Sequence, residues 1–525
     1  MEPITAICLT QEWSGLETYV QLGVACLFSP ARYNAICEGM CCLKHASAPV
    51  DGQPATETKR GYGLHRQALG PLDTLAQSIS TMGPTCSPAM TVPLVFASAG
   101  NGTWLAYLLA MGCTLLMALC VARFARESAS PGSLYIYATS SLHPVLGNVS
   151  AWALLLAYLA TGASVVGGFV HYANVVLGEF FHVAASAIFL AVLAVVISTA
   201  VAYRDVKIST QLMVYIEFVS VTLIAIVFAM LLWKHGLHVD PAQFTLHGVR
   251  WSGVRLGVVL AMFSFVGFES ATTLGEEARN PLKTIPRAVI QSALLSGLFF
   301  ITASYTEVLG FPASAGTLDQ SASPMSVLAT AAGAGRLGPL IDIGAMVSMF
   351  ACTLACVTAA ARVLFMMAHN GVTHRWMSRA HDRNSTPHTA VLVTGLATML
   401  LPVGLTLARA NGETIYDWMG SLATYGFITV YALVAVALPL HLKAEKRLSM
   451  AIVVLAVASV LAMVFVLEGT LYPVPEAPKN WLPYLFLAYL AAGVAWYGWQ
   501  TRDGRRLSDS VSGVLEPVAE IPDID

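Results

Sequence analysis

Two residues in one apolar run pose a problem for the rest of the chain. From Phe263 to Pro281 the sequence reads FSFVGFESATTLGEEARNP, with Gly267 and Glu269 well inside a stretch that has the apolarity of a membrane span. A carboxylate in hydrocarbon costs on the order of 3 kcal/mol by insertion scales and more by others, and a glycine weakens a helix. A second stretch, LDTLAQSISTMGPTCSPAMTVPLVFASAG, carries Gly83-Pro84, Pro88 and Pro93. Each proline removes a backbone hydrogen bond and clashes with the preceding turn, and in hydrocarbon every freed backbone group needs an internal partner. The chemistry such breaks offer is binding. A half-helix that starts at a break presents unpaired N–H groups and the positive end of its dipole, which suit a carboxylate. The stretch formed by Thr81, Met82, Gly83, Pro84, Thr85, Cys86 and Ser87 would supply the donors and line the site, with hydroxyls from Thr85 and Ser87. The opposing break, Ser264, Phe265, Val266 and Gly267, offers free carbonyls, which suit an ammonium group. Phe263, Phe265 or Phe268 would close over the bound molecule, and spacing does not say which ring faces it.

The elements that must position these residues are membrane helices. Of the 525 residues, 56% are hydrophobic and 11% charged, where soluble domains carry about 25% charged. That composition makes a polytopic membrane protein the default. The net charge of −2 implies no nucleic-acid partner. Of the ten cysteines, five lie in the first 42 residues and five in apolar spans, where a thiol acts as a small hydrophobe. Their spacing fits neither a zinc site nor a disulfide framework, so no metal site is expected. The His-rich stretch with His369, His374, His381 and His388 reads as a loop.

A spanning helix needs about 20 mainly apolar residues. Twelve candidates follow, at 72–98, 103–123, 147–177, 184–202, 208–233, 254–275, 287–310, 338–367, 388–408, 415–440, 449–469 and 482–500. Residues 1–65 are compositionally distinct, lack the pattern of a secretory signal and read as a disordered extension. The polar tail 501–525 also reads as disordered and cytoplasmic. With both termini in the cytoplasm, the inner side of the spanning region and its flanks, from Lys59 to Arg506, collects twenty Lys and Arg. The outer side holds six, Lys234, Arg250, Arg255, Arg336, Arg409 and Lys479. This bias fixes the orientation and checks the span count.

The two interrupted spans are the first and the sixth, five apart. Interrupted segments at corresponding positions of two halves point to an inverted-repeat transporter. The fold class expected is therefore all-α, with 12 transmembrane helices in a 5+5 inverted-repeat arrangement and helices 1 and 6 broken. The first repeat is 72–233, the second 254–440, and 449–500 holds two accessory spans.

The stretch FSFVGFESATTLGEEARNPLKTIPRA resembles the sixth span and following loop of the amino acid–polyamine–organocation superfamily of amino acid permeases. The residues that carry the likeness are Phe263, Phe265, Gly267, Phe268, Glu269, Glu276, Glu277, Asn280, Pro281, Ile285 and Pro286. ARESASPGSLYIYATSSLHPVLGNVSAW is similar to that family's loop between spans 2 and 3. Arg362, Asn370-Gly371 and Thr386-Pro387 match its connection from span 8 to span 9. The likeness covers about residues 66–500. The family's first span often carries a small Gly-Ser-Gly turn, where this chain has Gly83-Pro84-Thr85-Cys86-Ser87, so the floor of the pocket differs. The resemblance implies an amino acid or related amine held midway across the plasma membrane between spans 1 and 6. It also implies a non-enzymatic secondary transporter with no cofactor, working in the lipid bilayer as monomer or homodimer.

Glu269 has two readings, of which the first is preferred: it secures the break through free backbone N–H groups, or it contacts the substrate amine. Glu217, in STQLMVYIEFVSVTLIAIVFAM, has no basic residue near it in its span. A carboxyl that takes up and releases a proton as a cavity opens is what a proton-coupled carrier requires. Some relatives place a lysine at about this point, so the comparison is by position only. The alternative is a protonated acid bonded to a neighbouring helix. Sodium coupling would draw on Ser348, Thr353 and Thr358, which include no adjacent hydroxyl pair. The loop carrying Glu276, Glu277, Arg279 and Lys283 either holds an inward gate by pairing with basic groups or is a solvated cluster. Asp342 and Glu307 mark the membrane interface in this reading. An exchanger, or a substrate sensor on the same fold, is the alternative function. A channel would need rings of polar residues and an enzyme a convergent catalytic set, and neither pattern is present in the spans.

Overall fold

The computed structural model describes residues 62–501 apart from 65, 205, 237, 238, 382, 383 and 473. The expectations for residues 1–61 and 502–525 lie outside these. The described body is helical, with one isolated parallel bridge between Leu69 and Ala278. Among the described residues, ten segments are long and apolar enough to cross a membrane. The first, Pro71–Ala125, has 55 residues, far more than one span needs, and it is interrupted twice. It consists of α1 (Pro71–Met82), a π-helical turn (Ser87–Thr91), α2 (Val92–Ala99), a 3-10 turn (Gly100–Gly102) and α3 (Thr103–Ala125). There follow α4 (Pro144–Phe181), α5 (Ala187–Arg204), α6 (Val206–Lys234), α7 (Trp251–Phe265), α8 (Pro281–Gly310) and α9 (Gly338–His369). The chain continues through α10 (His388–Leu407), α11 (Gly412–Ala444), α12 (Met450–Leu471) and α13 (Leu482–Thr501). The last of these, 20 residues long, is not among the ten.

The first break follows from local sequence. Gly83 ends α1 in the left-handed region, at φ 57°, and its N–H caps Ile79 O at 3.0 Å, the usual role of a C-terminal glycine. Pro84 cannot donate to the turn before it. The chain re-enters helix through a π turn containing Pro88, and Pro93 is the second residue of α2, which continues from that turn. In the sixth span, α7 stops at Phe265, Val266 is extended and Gly267 sits at φ 95°. The 254–275 span, expected to be broken, is thus a 15-residue helix, a turn at 266–269 and a 3-10 turn at Ser270–Leu274. A Cβ at Gly267 would overlap the Thr81 side chain, so glycine is required there twice over, for its φ and for the approach of the first span. The seventh helix starts at Pro281, six residues before the apolar pattern does, because Lys283 and Arg287 mask its first turns.

Packing brings particular helices together. α3 lies along α8, α4 along α9 and α11, α5 along α10, and α2 along α7, while α1 meets the 3-10 turn. The core between them holds the fully buried rings of Tyr107, Tyr158, Tyr172, Tyr431, Phe265, Phe268 and Phe300.

Candidate functional site

The two breaks touch. Thr81 Oγ1 donates to Gln77 O at 2.7 Å and shares a 2.8 Å hydrogen bond with Ser270 Oγ. Ser270 Oγ also reaches Gln77 O at 3.1 Å, and Ala271 N–H donates to Ser78 Oγ at 2.9 Å. The backbone groups that the breaks release are thus partly satisfied by one another. On the far side of the first break, Cys352 Sγ on α9 donates to Thr81 O at 3.1 Å, and Cys86 Sγ lies 3.9 Å from Ser348 Oγ. Thr81 to Ser87 and Ser264 to Phe268 are all buried.

Glu269 is fully buried just past the second gap. Tyr158 OH, on α4, donates to its Oε1 at 2.8 Å, and Tyr431 OH, on α11, donates to Oε2 at 2.6 Å. Thr272, one turn on, binds Glu269 O through both its N–H, at 2.8 Å, and its hydroxyl, at 2.7 Å. The carboxyl therefore ties the break to α4 and α11 through two phenols, beside the backbone N–H groups of Gly267 and Glu269 that the sequence suggested. Neither tyrosine stood out in the sequence, because a tyrosine in an apolar helix carries no mark of its partner.

A cavity of about 670 Å³ lies between α2, α7 and α11, and its lining runs from Thr91, Phe263 and Tyr416 to the loop Val474–Lys479 ahead of α13. Of all the residues expected to bind substrate, Phe263 alone lines it. Its ring meets Tyr416 edge-on at 5.5 Å, and Tyr416 OH shares a 2.8 Å hydrogen bond with Thr91 Oγ1. Phe265 and Phe268 point elsewhere: Phe265 packs on Phe300 at 5.3 Å and Phe268 on Tyr431 at 5.3 Å. Phe263 and Tyr416 thus stand between the cavity and the helix breaks. At the far end of the cavity, Lys479 Nζ reaches Asp417 Oδ1 at 2.6 Å.

The opposite side of the breaks is closed. Arg362 Nε and Nη2 bind Glu277 Oε2 and Oε1 at 2.6 and 2.8 Å, and Nη1 donates to Thr358 O at 3.0 Å. Both side chains of this bidentate pair are buried. Glu276 accepts from Tyr62 N–H at 3.0 Å and from Arg66 Nε at 3.1 Å. Partial burial pushes the Glu276 carboxyl up from the ordinary carboxylate range, and Arg66 and the Tyr62 N–H pull against that shift. Backbone hydrogen bonds complete the closure, Leu69 N–H to Glu277 O and Arg279 N–H to Leu69 O, both 2.9 Å. The acidic pair Glu276-Glu277 is thus a structural latch and not a solvated cluster.

Glu217, on α6, is 4% exposed and accepts from Ser348 Oγ at 2.7 Å. Thr85 of the first break lies within its electrostatic reach. Neither Thr85 Oγ1 nor Glu217 Oε2 makes a hydrogen bond. Ser348 is therefore engaged by Glu217, and Thr353 bonds Met349 O of its own helix at 2.9 Å. Glu307 and Asp342, read from the sequence as interface markers, are 0% and 1% exposed. They are core residues, because α3 and α4 and the segment before α9 enclose the ends of the helices that carry them.

Known proteins share this chain's pattern. The family model described as amino acid permease matches residues 77–501. The branched-chain amino acid permease BcaP of Bacillus subtilis is 26% identical over 360 residues, covering 65% of this chain and 73% of the relative. The low-affinity putrescine importer PlaP of Escherichia coli is 28% identical over 340 residues, covering 62% and 71%. Among solved structures, a mutant of the Eremococcus coleocola manganese transporter aligns with a TM-score of 0.54 at 13% identity, over 89% of this chain and 99% of that one. That likeness is one of fold alone.

Proposed function

Since the chain belongs to the amino acid permease family, we propose that it moves an amino acid or a related amine across the plasma membrane by alternating access, coupled to protons. The observation that carries this reading is the position of the two touching helix breaks. On one side lies a cavity that stops at Phe263 and Tyr416, and on the other a buried seal at Arg362 and Glu277. A pathway open at one end and shut at the other is one half of an alternating-access cycle.

The substrate sits at the breaks in this account. Its carboxylate meets the N–H groups of Thr81 to Ser87, its ammonium meets the carbonyls of Ser264 to Gly267, and Phe263 closes over it. The two relatives named above, one a branched-chain amino acid permease and one a putrescine importer, mark the range of substrates. The 5+5 inverted repeat draws support from the packing: α3 with α8, α4 with α9, α5 with α10 and α1–α2 with α7 each join a span to the one five later. Two halves related by a two-fold axis make such self-pairings near the axis. Counting Pro71–Ala125 as two spans and adding α13 gives twelve, with α12 and α13 accessory. The Lys and Arg bias puts both termini in the cytoplasm, so the cavity faces outward and the Arg362–Glu277 seal faces in.

Glu217 is the coupling carboxyl in this reading, since it links α6 to Ser348 on α9 and lies beside Thr85 of the first break. Proteoliposomes with an imposed inward pH gradient test this. Glu217→Gln is expected to lose accumulation above equilibrium while keeping exchange of internal for external substrate. Full pH-driven accumulation by the variant would refute the assignment and leave the exchanger as the better reading.

A further inference from the structure

Glu307 is the least accommodated acid in the described structure. It lies one turn from the end of α8, is fully buried, and neither Oε1 nor Oε2 has a hydrogen-bond partner. An ionised carboxylate in such a place is untenable without a compensating positive charge. Among the described residues, the bases on the neighbouring elements are engaged elsewhere, and His171 on α4 pairs with Glu413 at 3.5 Å. On α3 the only base, Arg123, pairs with Glu127 near the helix's other end, and on α7 Arg255 pairs with Glu468. Lys234, at the end of α6, donates its Nζ to Ala331 O at 2.7 Å. The first broken span has no charged residue after Asp73, and the helix Pro324–Ala331 has none. The titratable groups within electrostatic reach of Glu307 are Tyr107 on α3 and Tyr172 on α4.

A second buried acid also lies within electrostatic reach of Tyr172. Asp342, on α9, is 1% exposed; Ser323 Oγ donates to its Oδ1 at 2.6 Å and its Oδ2 is unpaired. Tyr172 lies within electrostatic reach of both acids, and its hydroxyl donates to Ala89 O at 3.0 Å. Ala89 is in the π turn through which the first span resumes after its break. Both acids thus act on the residue that ties the outer half of that span to α4.

We propose that Glu307 forms a cation site separate from Glu217, which holds a proton or a sodium ion in this conformation and releases it when the outer half of the first span moves. Its role in transport rests on the reading above; the binding itself does not. Purified protein treated with dicyclohexylcarbodiimide, an apolar reagent that couples to protonated carboxyls, tests the binding by peptide mass at Glu307. For a proton site, modification falls as pH rises and ignores sodium; for a sodium site, sodium suppresses it at fixed pH. Glu307 that reacts equally at every pH and sodium concentration, or not at all, overturns the proposal. In proteoliposomes, Glu307→Gln, or Glu307→Ala if the first does not fold, is expected to lose accumulation driven by whichever gradient the labelling identifies, while exchange persists. If the wild type transports substrate and both variants keep the full gradient response, the site plays no part in coupling. If the wild type transports nothing, the transport reading fails and the labelling still decides the cation site.

Discussion

Glu269 shows what a single residue can and cannot reveal in a sequence. Its place inside an apolar run marked it as exceptional, and its role in holding the break was the preferred reading. Its partners were out of reach, because Tyr158 and Tyr431 lie 111 and 162 residues away and come together only when α4 and α11 pack. Each phenol donates to one oxygen of a buried carboxyl, so Tyr431→Phe should remove a buried hydrogen bond and destabilise the protein by about 1–3 kcal/mol. Tyr158→Phe should do the same, read in both cases as a lower melting temperature in detergent. A melting temperature unchanged in both variants would mean that Glu269 finds other donors and that the two phenols do not hold it. Phe263 makes the complementary case. Spacing left three phenylalanines equal as candidates to face the pocket, and only the rotation of α7 against α11 turned Phe263 toward the cavity.

At the scale of elements, the breaks were legible because glycine and proline act on the backbone where they stand. Gly83-Pro84 and Gly267 interrupt their spans wherever those spans pack. The latch was less legible. The acidic pair Glu276-Glu277 reads alike as a solvated cluster or as a gate until Arg362, on a helix that begins more than fifty residues later, is seen to bury one of its members. That pairing carries a prediction. Removing one partner of a buried ion pair strands the other charge and costs about 3–5 kcal/mol, here in the conformation that the latch closes. Arg362→Ala should therefore shift the protein toward opening at that end. Cys352, buried against Thr81 O, reports it: a membrane-impermeant thiol reagent should label Cys352 in the variant and spare it in the wild type, as followed by peptide mass. Protection of Cys352 in a folded Arg362→Ala protein would show that the pair does not govern access.

For the molecule as a whole, length and composition alone already required many membrane helices, and the periodic recurrence of apolar runs located them to within a few residues at most ends. The exceptions have physical causes: α4 extends beyond the membrane-length run expected for it, and the charged first turns of α8 are helical without being apolar. What composition does not carry is the relation between distant acids and their surroundings, since Glu217, Glu307 and Asp342 look alike as isolated carboxyls in apolar text. Their differences arise from which helix ends enclose them. The central claim is that the two touching breaks bind a small amine-bearing substrate on its way across the membrane. Uptake of a labelled panel of amino acids and polyamines into proteoliposomes, with and without a pH gradient, tests that claim most directly. The account predicts saturable uptake of at least one panel member, enhanced by the gradient and abolished by filling the contact between the breaks with Gly267→Val. Absence of uptake for every member under both conditions, by protein that is folded in the bilayer, would contradict it.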